Sequence, residues 1–572
     1  MLRKKRLIPR QPLPPIRVMA NQASALTVEH GVAAVDTDHG AGSTAAAAVV
    51  DSSEQSSARA IPSTLRVRKI VRRAPAQERM EPLTEAGRRV TRNLGVLAGG
   101  QVVTWTMTLV WTLIVPRALG PVRLGILVSA QSVSGVLGIV LGMGTRGYLV
   151  RETVVDRAAG PKLVGTALIL RLTIAPLVGL AAVVWARIAH FGHEATIVLY
   201  LVTAMTVLTL LTEPLQAAFQ AIERMKYLAF VDIVNKSAQS VIGIALVLVG
   251  FRVVGIAASM AIIAAVVFVL TFLWLRPFFR VDMRTNVTLM SQVTRQSVAY
   301  WAYGLFGMIY FWIDTIMLSL MTRSEVVGWY GASMSLFQTL MFLPALVSTA
   351  WLPRLVAAFV KSRRDLVDAA RAPVELVLIM SLPIAMATAI VANPLIHAVY
   401  GPNFAHAVPV LMILAVCIPP IYLNIILGSI LLAAKRPAAW TIVMAGASVV
   451  NPLVNLALIP LTEHRYHNGA IGAAISLVLT EVLMDGVGFV LAGRHVLDRR
   501  VVKRCALVCL ASAGMGAVAY AARPLGTPAS LAAGFATLGM LALMLRIVGR
   551  EELRLVQSGL GRVRGRVGGN AT

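Results

Sequence analysis

Fourteen apolar runs of about twenty residues succeed one another from Leu94 to Ile547, and little but a bundle of membrane-spanning helices can be built from such a chain. In hydrocarbon each backbone N–H and C=O must be satisfied within the segment, so each run becomes a helix. The first six are expected over Leu94–Val115, Leu124–Met143, Leu163–Ala186, Thr196–Phe219, Tyr227–Gly250 and Val253–Leu275. A basic linker follows, and then Ser297–Leu320, Gly328–Leu352, Val374–Ala398, His406–Ala434, Ala438–Pro460, Gly469–Leu491, Cys505–Ala522 and Ala529–Ile547. Charged residues make up only 14% of the chain. A soluble domain carries roughly a quarter, so lipid must solvate most of this one.

The net charge of +27 could point to nucleic acid, but its distribution excludes that partner. Basic residues fill the two tails and alternate short loops. Loops after even-numbered runs hold Arg146, Arg151, Arg157 and Lys162, then Arg224 and Lys226, then Arg276, Arg280, Arg284 and Arg295. Later ones hold Arg354, Lys361, Arg363, Arg364 and Arg371, then Lys435 and Arg436, then Arg494, Arg499, Arg500, Lys503 and Arg504. The other loops carry one or two each, such as Arg187, Arg252 and Arg323. By the positive-inside rule both termini are expected in the cytoplasm.

The expected organisation is a disordered polar and basic cytoplasmic tail (1–92), a first lobe of six helices (93–276) and a cytoplasmic linker (277–296). A second lobe (297–500), two further helices (501–548) and a basic cytoplasmic tail (549–572) complete it. The tail is rich in Ala, Ser, Pro and charge and has no period. Its Arg3-Lys4-Lys5-Arg6 start lacks the apolar stretch of a signal peptide. Met80 opens what reads as the entry to the membrane part, with the residues upstream either a regulatory tail or an overextended start.

Two halves echo each other. Leu124-Gly125-Ile126-Leu127-Val128-Ser129-Ala130-Gln131-Ser132 parallels Val327-Gly328-Trp329-Tyr330-Gly331-Ala332-Ser333-Met334-Ser335. Val254-Gly255-Ile256-Ala257-Ala258 parallels Ile471-Gly472-Ala473-Ala474-Ile475, and Arg224 parallels Arg436. An even number of spans separates the copies, so both lie the same way up. Two pseudo-symmetric six-helix lobes about an axis along the membrane normal follow, with a cavity between them.

Several stretches carry a family likeness: Pro116 to Gly125, Gly144 to Glu152, Asp314 to Tyr330, Tyr400-Gly401-Pro402-Asn403-Phe404-Ala405-His406-Ala407, Asn451 through Pro460, and Gly469 to Glu481. In this order and spacing the chain, from Arg92 to about Arg500, resembles the oligosaccharide-lipid (polysaccharide) flippases of the multidrug/oligosaccharidyl-lipid/polysaccharide exporter superfamily. The resemblance implies flipping of an undecaprenyl-phosphate-linked glycan from the inner to the outer leaflet by alternating access of two lobes. One related branch moves lipid II and also has fourteen spans, its last two lining a groove for the polyprenyl tail. Another exports cationic drugs against protons or sodium. The implied partners are a lipid-linked oligosaccharide, membrane lipids and H+ or Na+ as coupling ion, in the cell inner membrane, with no cofactor and no metal site.

Such a cargo asks for buried cations opposite phosphate, and for amides, hydroxyls and aromatic faces against sugars. An acid inside an apolar helix normally marks a transport path, and Asp314 in the seventh run is the foremost candidate, with Arg117 the first partner to consider. Arg171 and Glu213 lie at similar depth and read equally as a structural ion pair or as functional groups. Lys236 either neutralises Asp232 one turn earlier or meets phosphate. Arg117 and Arg123 mark the outer mouth, Arg146 and Arg151 the inner one, although terminal arginines often only anchor the interface.

Asn424, Asn451 and Asn455 are sugar ligands or interhelical hydrogen-bonders, and Glu481 is a further intramembrane acid beside Asp485. Trp105, Trp111, Trp301, Tyr303, Tyr310 and Trp312 crowd the first and seventh runs, which are expected to face each other; they serve either sugar stacking or an interfacial belt. His190/His193 and His464/His467 are solvated loops rather than metal ligands, and Cys505 and Cys509 are small packing residues on one helix face. No G-x-x-x-x-G-K-[ST] loop occurs, so ATP hydrolysis is not expected. A polysaccharide polymerase or ligase would need a large outer loop, and every outer loop is short.

Overall fold

The computed structural model describes residues 83–545 apart from 494, 495 and 497, and not the side chains of 83–98, 101, 102, 299, 300 and 303. Most of the expected N-terminal tail, the tail at 549–572, Arg494 and the Tyr303 side chain therefore lie outside the described residues. Among those described, every regular element is helical.

α1 (Leu83–Gly142) is two spans that meet at Gly120, whose φ of 71° and ψ of 169° turn the chain. That positive φ is one glycine adopts without steric cost, and Pro121, which follows directly, has no N–H to carry the helical bonding across the turn. α2 (Thr145–Val155) is a short helix that was not expected; it continues the second span past a break at Met143 and Gly144. α3 (Gly160–Ile188), α4 (His193–Ala221), α5 (Met225–Leu248) and α6 (Val253–Leu275) are the third to sixth spans.

α7 (Val287–Met321) is the seventh. The eighth is broken at Leu340 and Met341 into α8 (Ser324–Thr339) and α9 (Phe342–Lys361), where a single helix from Gly328 was expected. α10 (Arg363–Tyr400), α11 (Ala407–Ala433), α12 (Pro437–Tyr466) and α13 (Gly469–Ala492) complete the second lobe. α14 (Arg499–Ala521) and α15 (Thr527–Met544) are the last two spans. Among the described residues thirteen helices are long and apolar enough to cross a membrane, and the first of these contains two spans, which gives fourteen.

Asp498 caps α14, its Oδ1 accepting from the Val501 N–H at 2.9 Å. That bond, assisted by Arg371, holds the Asp498 carboxyl below the usual carboxylate range. Arg504 of α14 pairs with Glu375 of α10 at 2.5 Å, fastening the added helices to the ninth span.

Each lobe has its own core. One cluster runs through α7 to α13 around Trp329, Tyr330, Phe337, Tyr400 and Tyr422. Two others fill the first lobe, one around Leu127, Val198 and Ile256, the other around Leu149, Leu215 and Phe219. The lobes meet along the second and eighth spans. A Cβ on Gly125 would lie 1.6 Å from the Ser324 carbonyl oxygen, and one on Gly328 would lie 1.9 Å from the Pro121 carbonyl oxygen.

The pairing is reciprocal: the same offset of 203 residues takes Gly125 to Gly328, Pro121 to Ser324 and Val128 to Gly331. Gly331 in turn faces the Val128 side chain. Equivalent residues of the two repeats thus touch each other, as they must at a twofold axis. The duplicated sequence is itself the interlobe seam.

Candidate substrate cavity and carboxylate network

A cavity of about 730 Å³ opens between the lobes at the end of the molecule that carries the basic loops. Its first-lobe walls are Gly135 to Gly147 of the second span and joint, and Met205 to Glu213 of the fourth. The second lobe contributes one face of α7: Trp301, Gly304, Leu305, Met308 and Phe311. These residues recur at helical spacing, so a single stripe of α7 meets the cavity. Trp301 donates its Nε1–H to the Ile139 carbonyl at 3.0 Å, and Trp312 sits on Gly135. Trp301 and Trp312 of α7 therefore meet the second span, where the first was expected, and Gly135 leaves room for the Trp312 indole, whereas Tyr310 turns into the second lobe.

Arg146 and Glu213 reach the cavity wall. Arg171 is buried, with 1% of its side chain exposed, and pairs with Glu213 at 2.8 Å. It also donates to the Gly142 carbonyl at 3.0 Å, to Thr145 Oγ1 at 2.8 Å and to the Leu210 carbonyl. Lys236 is exposed and makes no ion pair within 4 Å with Asp232; that carboxylate accepts from Gln216 at 3.5 Å and feels the charges of Arg146 and Lys236. Arg151 reaches only its neighbour Glu152, at 3.9 Å. Arg117 donates to the Ala398 carbonyl at 3.1 Å. The expected Arg117–Asp314 pair is thus not made.

Asp314, 2% exposed, instead lies inside the second lobe, on the other side of α7 from the cavity. Asn455 Nδ2 donates to its Oδ1 at 2.6 Å, and the Tyr330 hydroxyl to its Oδ2 at 3.1 Å. Asn455 also donates to Asn451 Oδ1 at 2.8 Å. Deeper in the lobe Glu481 accepts from the Tyr310 hydroxyl at 2.7 Å and from Asn424, which makes Asn424 a partner of the acid and not a cavity lining.

Asp485, one turn on from Glu481, is buried with Oδ1 unpartnered, as are Asn424 Oδ1, Asn451 Nδ2 and Asn455 Oδ1. Among the described residues no Lys or Arg lies within salt-bridge distance of these three acids. No grouping of three or more His, Cys, Asp and Glu side chains suited to a metal ion occurs among them either. Buried acids without a basic partner reach neutrality by taking up a proton or another cation. Tyr310 and Asp314 share α7 with the cavity wall, so the network and the cavity are joined by one helix.

Tyr330 carries a legible signal that the sequence reading missed. The turn at Thr322 and Arg323 lies about eight residues from both Asp314 and Tyr330, so an antiparallel hairpin brings them to one depth.

Two six-helix lobes joined along a twofold seam, with a basic-end cavity and two added helices, define a polytopic transporter. Residues 90–359 match the polysaccharide biosynthesis protein family, and residues 302–457 match the MatE family. The two matches overlap and together run from residue 90 to 457, and they support the flippase family of the multidrug/oligosaccharidyl-lipid/polysaccharide exporter superfamily. No curated protein sequence matches it.

Among solved structures its fold is similar to an inward-closed lipid II flippase MurJ, with a TM-score of 0.64 at 12% identity over 79% of this chain and 98% of that one. It is also similar to an inward-facing multidrug resistance MATE family transporter, with a TM-score of 0.52 at 14% identity over 70% and 96%.

Proposed function

We propose that the protein flips an undecaprenyl-(pyro)phosphate-linked oligosaccharide, or a similar lipid-linked glycan precursor, from the cytoplasmic to the outer leaflet. The carrying observation is the cavity: it opens at the basic end, is sealed at the other by the glycine seam, and presents Arg146 with indole, hydroxyl and glycine surfaces. Its volume suits a compact polar head group, since ligand sites typically span ~300–1,000 Å³. Arg146 meets phosphate; Thr206, Thr209 and Trp301 meet sugar. The polyprenyl tail stays in lipid, which α14 and α15 flank beside the second lobe.

Opening the seam and closing the cavity delivers the head group outside. Asp314 of α7 with Asn451 and Asn455 of α12, and Glu481 of α13 bonded to Tyr310 of α7, take up a proton or Na+ and bias that exchange through α7. A drug-antiporter cavity would use a free carboxylate for its cationic cargo, and here the only acid in the wall, Glu213, is occupied by Arg171 among the described residues.

Proteoliposomes holding the purified protein and a fluorescent undecaprenyl-pyrophosphate oligosaccharide test the reading. Protein-dependent loss of signal to an impermeant quencher, with lipid II and a cationic dye moved more slowly, supports it. Preferential movement of lipid II assigns the protein to peptidoglycan precursors instead, and movement of the dye alone overturns the reading.

A further inference from the structure

The second span does not run smoothly into α2. Met143 and Gly144 both take positive φ, 47° and 61°, and the helix restarts at Thr145 without a side-chain cap on its first turn. Arg146 is the second residue after this break, so its direction is set by a joint that the local backbone does not itself stiffen. Arg171 reaches that joint from the third span.

Its guanidinium donates to the carbonyl that ends the second span, Gly142, and to the hydroxyl of the residue that starts α2, Thr145. The same group donates to Leu210 and Glu213 of the fourth span. One buried side chain thus ties three helices around the hinge that carries the cavity's cation. An Arg fork supplies several fixed donors, whereas Lys would present one point charge to the same partners. Burying a charge so completely is costly unless it is compensated; the Glu213 carboxylate and the acceptors at 142, 145 and 210 do this on the two terminal nitrogens, while Nε is left without a partner.

We propose that Arg171 is the positioning residue of the cavity: it clamps the joint at 142–145 so that Arg146 faces the cargo's phosphate, while holding Glu213 neutralised in the wall. This rests on the phosphate reading of Arg146 given above. It goes beyond that reading in placing specificity for an anion on a residue that touches no substrate. Glu213 left bare in the wall would repel phosphate, so the ion pair also sets the sign of the cavity.

Two measurements test it on the full-length protein in nanodiscs or proteoliposomes. In a background lacking Cys417, Cys505 and Cys509, Arg146→Cys reports its own accessibility to an anionic sulfonate thiol reagent. Arg171→Gln is expected to change that labelling rate roughly ten- to a hundredfold, the scale on which small misplacements act, with Arg171→Lys in between. Unchanged labelling overturns the proposal whatever the cargo is.

The second measurement is a double-mutant cycle on flipping. If Arg171 acts through Arg146, Arg171→Gln added to Arg146→Gln lowers transport no further than Arg146→Gln alone. Additive losses at equal membrane levels overturn the positioning role. Normal transport by Arg146→Gln would instead sink the phosphate reading, and the labelling result would still judge the clamp. Rescue of Arg171→Gln by Glu213→Gln would show that charge balance alone matters and would also overturn the clamp.

Discussion

Asp314 accepts two hydrogen bonds, from Asn455 and Tyr330, and has no cation within salt-bridge distance among the described residues. A carboxylate so placed is tolerable only while its charge is compensated, and under the proposed function a proton or Na+ provides this in one state of α7. Asp314→Asn keeps the shape, removes the charge and leaves both neighbours a hydrogen-bonding partner. The expected outcome is normal membrane abundance with flipping reduced at least tenfold and no remaining response to a proton or sodium gradient in proteoliposomes. Undiminished, gradient-driven transport would make the residue a packing element and shift attention to Glu481.

Much of this site is legible from the sequence: an acid within an apolar run, and two asparagines four apart on one helix face. The missing part is long-range. That Asn424 and Tyr310 both address Glu481, across 57 and 171 residues, depends on how α7, α11 and α13 pack. That Arg117 turns to a carbonyl and away from Asp314 depends on the same packing. Hydropathy carries no information on either.

At the scale of elements, the seam between the second span and α8 is where the two lobes approach backbone to backbone. Two backbones approach so closely that a methyl group on Gly125 collides with a carbonyl oxygen, which unlike a flexible side chain cannot swing aside. Gly125→Ala is therefore expected to weaken the sealed arrangement while leaving each lobe's core intact. Spin labels at Val122 and Arg323, both exposed near this end, should show a longer and broader distance distribution than in the parent. The expected size is a shift of about 1–3 kcal/mol in the opening equilibrium, the usual cost of overpacking. An unchanged distribution together with unchanged flipping would show that the seam is not the closed gate.

The repeat was visible as Leu124-Gly125 against Val327-Gly328, but similarity alone does not say that the copies touch. The break at 340–341 was hidden inside a run expected from Gly328 to Leu352; that at 143–144 falls where the second run was expected to end, and only the restart of a helix at Thr145 went unseen.

At the scale of the whole molecule, the direction of flipping follows from which way up the cavity faces. Short loops resist translocation in proportion to their Lys and Arg, and those loops gather at the cavity's open end, where Arg146 also stands. The opposite end carries sparse charge, partly compensated by the Arg123–Glu194 and Arg323–Glu463 approaches, each 4.0 Å. Under the proposed function, a cargo loaded at the basic end would come from the cytoplasmic leaflet. Reporter fusions decide this at two positions on either side of the eighth span. A phosphatase fused after Arg323 should be active and a cytosolic reporter there silent, while a fusion after Arg364 should give the reverse. The opposite pattern at either position would invert the bundle, place the glycine seam at the cytoplasmic face, and turn the proposed export of a glycan precursor into import.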